Sequence, residues 1–220
     1  MSDMYEYSYT WDARYCYPNS NVLKNKLGIT EAEALHVAER EITSFKMAAI
    51  RIHGLPGAFD FKHLLKIHKY LFEDIYDWAG KVRQVDISKG NAFCHFAYIQ
   101  NNANKLFQEL RDENFLKNTA TEDIPKRLSY YLSEINVIHP FREGNGRTQR
   151  IFIELLARER GFMVDFSQIE PREMIEASAE SFYCSYGKMD AIFEKITTPL
   201  VPSAPQPERS KKSKGPQLKR

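Results

Sequence analysis

Cysteine is scarce in this chain. Cys16, Cys94 and Cys184 are the only three in 220 residues. An odd, scattered set without metal-type spacing excludes a disulfide framework and reads as free thiols in a reducing compartment. No apolar run is long enough to read as a membrane span. The N-terminal residues Met1-Ser2-Asp3-Met4-Tyr5-Glu6 have neither a basic n-region nor an apolar h-region, so they do not read as a secretory signal. Charge of one sign is not in excess. Thirty-one basic against 29 acidic residues leave +2, and that balance does not suggest a nucleic-acid binder. A Gly-x-x-x-x-Gly-Lys phosphate loop is missing as well, which removes the Walker-type route to nucleotide chemistry. What is present is a hydrophobic content of 43%, enough for one domain with a core of its own.

One stretch concentrates the chemistry: His139-Pro140-Phe141-Arg142-Glu143-Gly144-Asn145-Gly146-Arg147-Thr148-Gln149-Arg150. Apolar, helix-spaced segments run up to it and away from it. Gly144-Asn145-Gly146 lets the backbone turn sharply and approach a ligand. The residues after it have helical apolar spacing, so the turn sits at a helix N-terminus, where N–H groups and the dipole attract an anion. Arg147 and Arg150 are three apart and share a face, from which both can grip phosphate oxygens. Glu143 cannot itself bind phosphate, but a Mg²⁺ ion between carboxylate and phosphate removes the conflict. His139 suits a general base near neutral pH, and Phe141 reads as the apolar anchor of the loop. Each part alone also fits a polar loop between two core helices. The concerted set points to transfer within a nucleotide's phosphate chain.

The string resembles the signature of the Fic family, His-x-Phe-x-(Asp/Glu)-Gly-Asn-Gly-Arg-x-x-Arg, at every specified position. The resemblance implies a protein AMP-transferase that moves AMP from ATP to a target hydroxyl and releases pyrophosphate. It makes His139 the base, Phe141 the loop anchor and Glu143 the Mg²⁺ ligand. It assigns Gly144, Asn145 and Gly146 to the phosphate cradle, and Arg147 and Arg150 to the phosphate chain, Arg150 nearest the γ end. The kinase-like Doc branch carries a lysine in place of the last glycine of the turn, and Gly146 argues against that branch. The motif says little about the base, so transfer of UMP, GMP, phosphocholine or phosphate stays open. A binding module without turnover is the reading from another class.

The rest of the chain predicts an all-α domain over residues 1–198 with one small hairpin. Residues 1–29 form an N-terminal arm and edge. Tyr5, Tyr7, Tyr9, Trp11, Tyr15 and Tyr17 read as an extended arm that packs rings on the domain, with ligand stacking as the alternative. Thr30 with Glu33 forms a capping box, and Leu35, Ala38, Ile42, Phe45, Ala49 and Ile52 predict the buried stripe of a long helix ending near Gly54. Asp60 caps a second helix that runs to Gly80 and buries Leu64, Ile67, Leu71, Ile75 and Trp78. His63 and His68 are five apart and do not share a face, so both read as solvated or core-edge histidines. Residues 82–98 read as a hairpin, the only strand-like stretch. Helices follow over 99–116, from Ile124-Pro125 to Ile138, after the motif, over 171–183 and over 188–196. Residues 199–220 turn proline-rich and basic, a disordered tail. A solvated end is its plain reading, and a weak contact with nucleic acid or anionic lipid the alternative.

The resemblance carries further expectations. It implies a fold in which the active-site loop joins two central helices, and it makes the hairpin a flap whose strand edge holds an extended target segment. Lys89, Asn91, Phe93 and His95 are then the candidate contacts. Fic enzymes are often restrained by a helix with (Ser/Thr)-x-x-x-Glu-(Gly/Asn). The nearest string, Ser2-Asp3-Met4-Tyr5-Glu6-Tyr7, fails at its last position. The chain therefore resembles the short bacterial Fic toxins restrained by a separate small antitoxin. For these, the resemblance implies type II topoisomerase subunits (DNA gyrase or topoisomerase IV) as targets and a cytoplasmic location. An effector delivered into a host cell is the alternative.

Overall fold

The first helix, α1 (Ala32–His53), departs from its sequence pattern. It belongs to a computed structural model that describes residues 12–89 and 91–200. Tyr5, Tyr7, Tyr9 and Trp11 of the expected arm, the Ser2–Tyr7 string and the tail from 201 lie outside the described residues. Glu31, not Thr30, is the N-cap, and no side chain caps the helix, so the capping box does not form. The helix buries Leu35, Glu39, Thr43, Met47 and Ile50. Leu35 of the predicted stripe is buried and Ile42 packs against the core, but Phe45 is 79% exposed and Ile52 75%, so the stripe only partly coincides with the buried face. The helix is rolled to turn Glu39 and Thr43 inward, and those two side chains meet an arginine of the motif.

Helix α2 (Phe61–Phe72) starts where predicted, with the Asp60 carboxylate accepting from the His63 N–H. It ends at Phe72 rather than near Gly80. The turns after it still carry Ile75 and Ala79 into the core, and Gly80 takes the left-handed conformation, φ 76°. His63 and His68 are both buried, so of the two readings, solvated or core-edge, the solvated one fails. Strands β1 (Ser88–Lys89) and β2 (Asn91–Ala92) pair antiparallel, with Ser88 opposite Ala92. The hairpin is a short tip within the predicted range. Helix α3 (Ile99–Asp112) buries Ala103, Leu106, Phe107 and Leu110.

Helix α4 (Ile124–Ile138) holds Pro125 in its first turn, where a missing N–H costs nothing. Its predicted stripe, Leu128, Tyr131, Leu132, Ile135 and Ile138, is buried. Helix α5 (Asn145–Glu159) is the centre of the molecule: Ile151, Phe152, Ile153 and Leu156 have no exposed surface, and it packs on α1, α2 and α4. Strand β3 (Phe162–Val164), helices α6 (Pro171–Ser181) and α7 (Gly187–Ile196), and strand β4 (Thr197–Pro199) follow. β4 returns antiparallel to β3, Val164 opposite Thr197. This second strand pair was not predicted, because three-residue strands with two polar threonines carry no period. It also places Pro199 in a strand rather than at the start of a tail. Among the described residues the chain is therefore mostly helical with two small strand pairs, and the motif loop joins the central pair α4 and α5. Among the described residues no helix is long and apolar enough to cross a membrane.

Candidate active site

His139 closes α4 in the left-handed conformation, φ 46° and ψ 62°, with its N–H on the Ile135 carbonyl. That conformation costs a non-glycine residue roughly 1–2 kcal/mol, so the surroundings must fix it. Ring Nδ1 lies 3.1 Å from the Asn136 carbonyl. A carbonyl only accepts, so Nδ1 carries the proton and the basic lone pair is on Nε2. The Phe93 ring lies parallel on the imidazole, centroids 3.7 Å apart at 17°. Arg83 donates from Nε to the His139 carbonyl at 2.8 Å.

The loop behind His139 is built from the core outward. Phe141 has no exposed surface and stacks on His68 at 3.8 Å and 9°. The Gly80 N–H donates to His68 Nδ1 at 2.8 Å, so Nε2 is the donor to the Glu143 carbonyl at 3.0 Å. Burial pushes the His68 imidazole down to about 3, and it stays neutral. Asn145 spends its whole side chain on the loop: Oδ1 accepts the Phe141 N–H at 2.9 Å, and Nδ2 donates to the Phe141 carbonyl at 2.7 Å. Gly144 sits at φ 80°, and a Cβ there would meet the Phe72 ring at 2.2 Å. Only glycine fits.

Arg147 turns away from solvent. It pairs with Glu39, reaches Thr43 Oγ1 at 3.1 Å, and lies 3.5 Å from Glu143. Tyr76 donates its hydroxyl to the same Glu39 carboxylate. Burial opposes the Arg147 charge, but Glu39 and then Glu143 outweigh it and hold the guanidinium above its usual value. Burial and the Glu39 charge push the Tyr76 phenol up, so it remains a donor.

His139, Gly146 and Arg150 open on one cavity of about 180 Å³, under Asn91 and Phe93 of the hairpin. Its far wall is largely apolar: Met174, Ile175 and Ala179 of α6, with Phe182 beyond it. The structure thus brings His139, Arg150 and Gly146 together. It sets Phe141, Glu143, Gly144, Asn145 and Arg147 behind them, outside the cavity lining. Of the hairpin residues, Asn91 and Phe93 line the cavity, while His95 lies 3.2 Å from Asp86 and is half exposed. Only the backbone of Lys89 is described. Glu143 accepts the Gly144 N–H on Oε1 at 2.9 Å. No cluster of three metal-binding side chains exists among the described residues. One carboxylate completed by substrate phosphates and water suits Mg²⁺ rather than a caged metal, so the residues fit that ion. Sequence reasoning missed Glu39, His68, Arg83 and the α6 wall. The one signal, for Glu39 and His68, is a polar residue within an apolar helical segment; Arg83 and the α6 wall carry none.

Residues 58–157 match the model of the family described as "Fic/DOC family". The curated "Probable protein adenylyltransferase Fic" of Salmonella typhimurium is 41% identical over 186 residues, covering 82% of this chain and 90% of that one. "Protein adenylyltransferase VbhT" of Bartonella schoenbuchensis is 40% identical over 185 residues, 84% of this chain but 39% of that longer one. Among solved structures, the BepC effector protein of Bartonella tribocorum with bound AMPPNP superposes with a TM-score of 0.80 at 28% identity, covering 84% of this chain and 97% of that one. A relative this similar over this much of both sequences, with the complete signature between two central helices, fixes the kinship: the chain belongs to the Fic/DOC family.

Proposed function

We propose that this chain is a protein adenylyltransferase, moving AMP from ATP to a Tyr, Thr or Ser hydroxyl of a target protein. One observation carries the reading: His139, with its lone pair on Nε2, and Arg150 share a cavity at the N-terminus of α5, walled by apolar side chains. The names of the relatives and the AMPPNP in the BepC structure support it. In the step, His139 Nε2 takes the hydroxyl proton. The oxygen attacks the α-phosphorus, the bond to the bridging oxygen breaks, and pyrophosphate leaves with that electron pair. Arg150 and the first-turn N–H groups of α5 face the negative charge. Phe93 holds the imidazole plane, and Asn145 and Phe141 hold the loop. Mg²⁺, when bound, neutralises phosphate charge, and Glu143 is the residue to hold it.

Transfer from ATP labelled at the α phosphate into bacterial lysate tests this, beside γ-labelled ATP and the His139→Ala variant. Bands from the α label alone, lost in the variant while AMPPNP binding persists, are expected. Bands from the γ label mean phosphorylation and overturn the proposal. Within it, we infer a toxin restrained by a separate antitoxin, with type II topoisomerase subunits as targets and the cytoplasm as its place. The mismatch of Ser2–Tyr7 to the restraining pattern supports the separate antitoxin. A small protein that co-purifies and silences labelling tests it. A second reading, delivery into a host cell, is favoured by the likeness to the Bartonella effector, and labelling of a host-cell lysate in preference to a bacterial one would select it.

A further inference from the structure

We propose that Arg83, outside the signature, is a positioning residue that couples the flap to the catalytic base. The chemistry assumes the adenylyl-transfer reading, and the coupling rests on geometry. The Arg83 side chain has no exposed surface. Its fork donates to backbone carbonyls on two separate segments: from Nε to His139 at 2.8 Å, from Nη1 to Val85 at 2.6 Å, and from Nη2 to Cys94. Nη2 also lies 3.5 Å from the Ile138 carbonyl, and the Arg83 N–H donates to Pro140 at 2.9 Å. One rigid planar group therefore clamps both arms of the flap, at Val85 and Cys94, to the loop that carries the base. The nearest carboxylate, Asp86, is half exposed at 3.7 Å. A buried cation is costly unless its donors are met, and here carbonyls meet them.

Two further contacts tie the same segments. The Cys94 N–H donates to Val137 at 3.0 Å, and Phe93 lies on the His139 ring. His139 holds a left-handed conformation, and Arg83, by holding its carbonyl, helps to fix the backbone from which the ring hangs. A target strand on the flap edge would then be in register with Nε2 because both hang from one guanidinium. A lysine keeps the charge and the stem but cannot reach both segments in a fixed plane.

The test is Arg83→Lys with three readouts: AMPPNP binding, AMP transfer into lysate protein at saturating ATP, and hydrogen exchange along the chain. Expected are AMPPNP affinity within about twofold of the wild type and transfer slowed by about 30-fold or more. Exchange should rise together over residues 84–95 and 137–141 while α2 and α3 stay protected. A merely structural role lowers AMPPNP binding in step with transfer and loosens the whole chain, and that outcome overturns the proposal. So does faster exchange in the flap without the loop. If Arg83→Lys does not fold, Asp86→Asn decides, since it weakens the clamp from the half-exposed side. A several-fold loss of transfer with faster exchange in the same two segments supports the coupling, and no change in either refutes it. Exchange needs no turnover, so a wild-type protein that labels nothing counts against the adenylyl-transfer reading while the exchange data still judge the clamp.

Discussion

Replacing Glu39 by alanine tests whether a residue far from the motif in sequence holds the motif in place. The Glu39 side chain is 5% exposed and pairs with Arg147, itself 21% exposed. Breaking a fully buried pair costs about 3–5 kcal/mol, because the remaining charge stays buried without its partner. Here Arg147 keeps Thr43 at 3.1 Å and Glu143 at 3.5 Å and touches some solvent, so the loss is discounted to about 2–4 kcal/mol. With a urea slope of about 3 kcal/mol per molar, the midpoint should fall by about 1 M. Equilibrium urea unfolding followed by fluorescence measures it. The double variant Glu39→Leu with Arg147→Met removes both charges and should recover more than half of the loss, since apolar replacement of a buried pair is often neutral. A fall below about 0.3 M for the single variant, or a double variant no more stable than the single one, refutes the pairing as the anchor of the loop.

Other outcomes follow from the same geometry. Gly144→Ala, with its left-handed φ and a Cβ 2.2 Å from Phe72, should lose about 2–5 kcal/mol of stability from backbone strain and overpacking; a thermal melt within a degree or two of the wild type would contradict it. His68 is neutral when folded, its value lowered to about 3 by burial, whereas in the unfolded chain it titrates near 6.5. Its folded value is the depressed one, so stability is full above about pH 6.5 and is lost as pH falls toward 3, about 2 kcal/mol of it between pH 7 and pH 5. Urea midpoints at those two pH values measure the slope, and His68→Phe should flatten it. Phe93→Ala removes the ring on the imidazole; transfer should fall between about 10- and 100-fold with AMPPNP affinity retained, and an unchanged rate would show that the stack does not hold the base.

The sequence was most legible where one residue type has one use. Asp60 before an apolar period announced α2, and the α4 stripe from Leu128 to Ile138 was read residue by residue, because a helix between two layers must be apolar on its inner face. Helix α1 broke that rule. Its apolar period, Leu35 to Ile52, is as regular as any in the chain, yet only its Leu35 end is fully buried. It is nonetheless outranked by Glu39 and Thr43, since leaving the Arg147 charge unmatched inside the protein costs more than leaving Phe45 in water. Periodicity counts apolar residues and cannot see that a distant arginine needs a carboxylate. The strand pair of Phe162–Val164 with Thr197–Pro199 was invisible for a related reason: neither half has a period of its own, and each is a strand only because the other lies beside it.

The site divides along the same line. The motif residues on its cavity were readable because His139, Arg150 and the glycine turn are close together in sequence, and adjacency is what a motif records. Its supports were not, because each acts from another element. His68 on α2 holds the Glu143 carbonyl, Glu39 on α1 holds Arg147, and Arg83 at the start of the flap segment holds the His139 carbonyl. In the sequence none of the three stands out: His68 reads as a solvated or core-edge histidine, and Glu39 and Arg83 belong to no motif. Their burial distinguishes them, and with it the partner each must find: an imidazole needs its donor and acceptor both met, a carboxylate needs a cation, and a guanidinium needs carbonyls. The loop is consequently held from three separate segments by groups that do not line the cavity. Substitutions at these supports should therefore lower activity through the position of the loop, and substitutions at His139 or Arg150 through chemistry or phosphate contact. Hydrogen exchange across residues 137–145 separates the two kinds: it should rise for the supports and stay low for His139→Ala, because the backbone carbonyl that receives Arg83 survives that substitution.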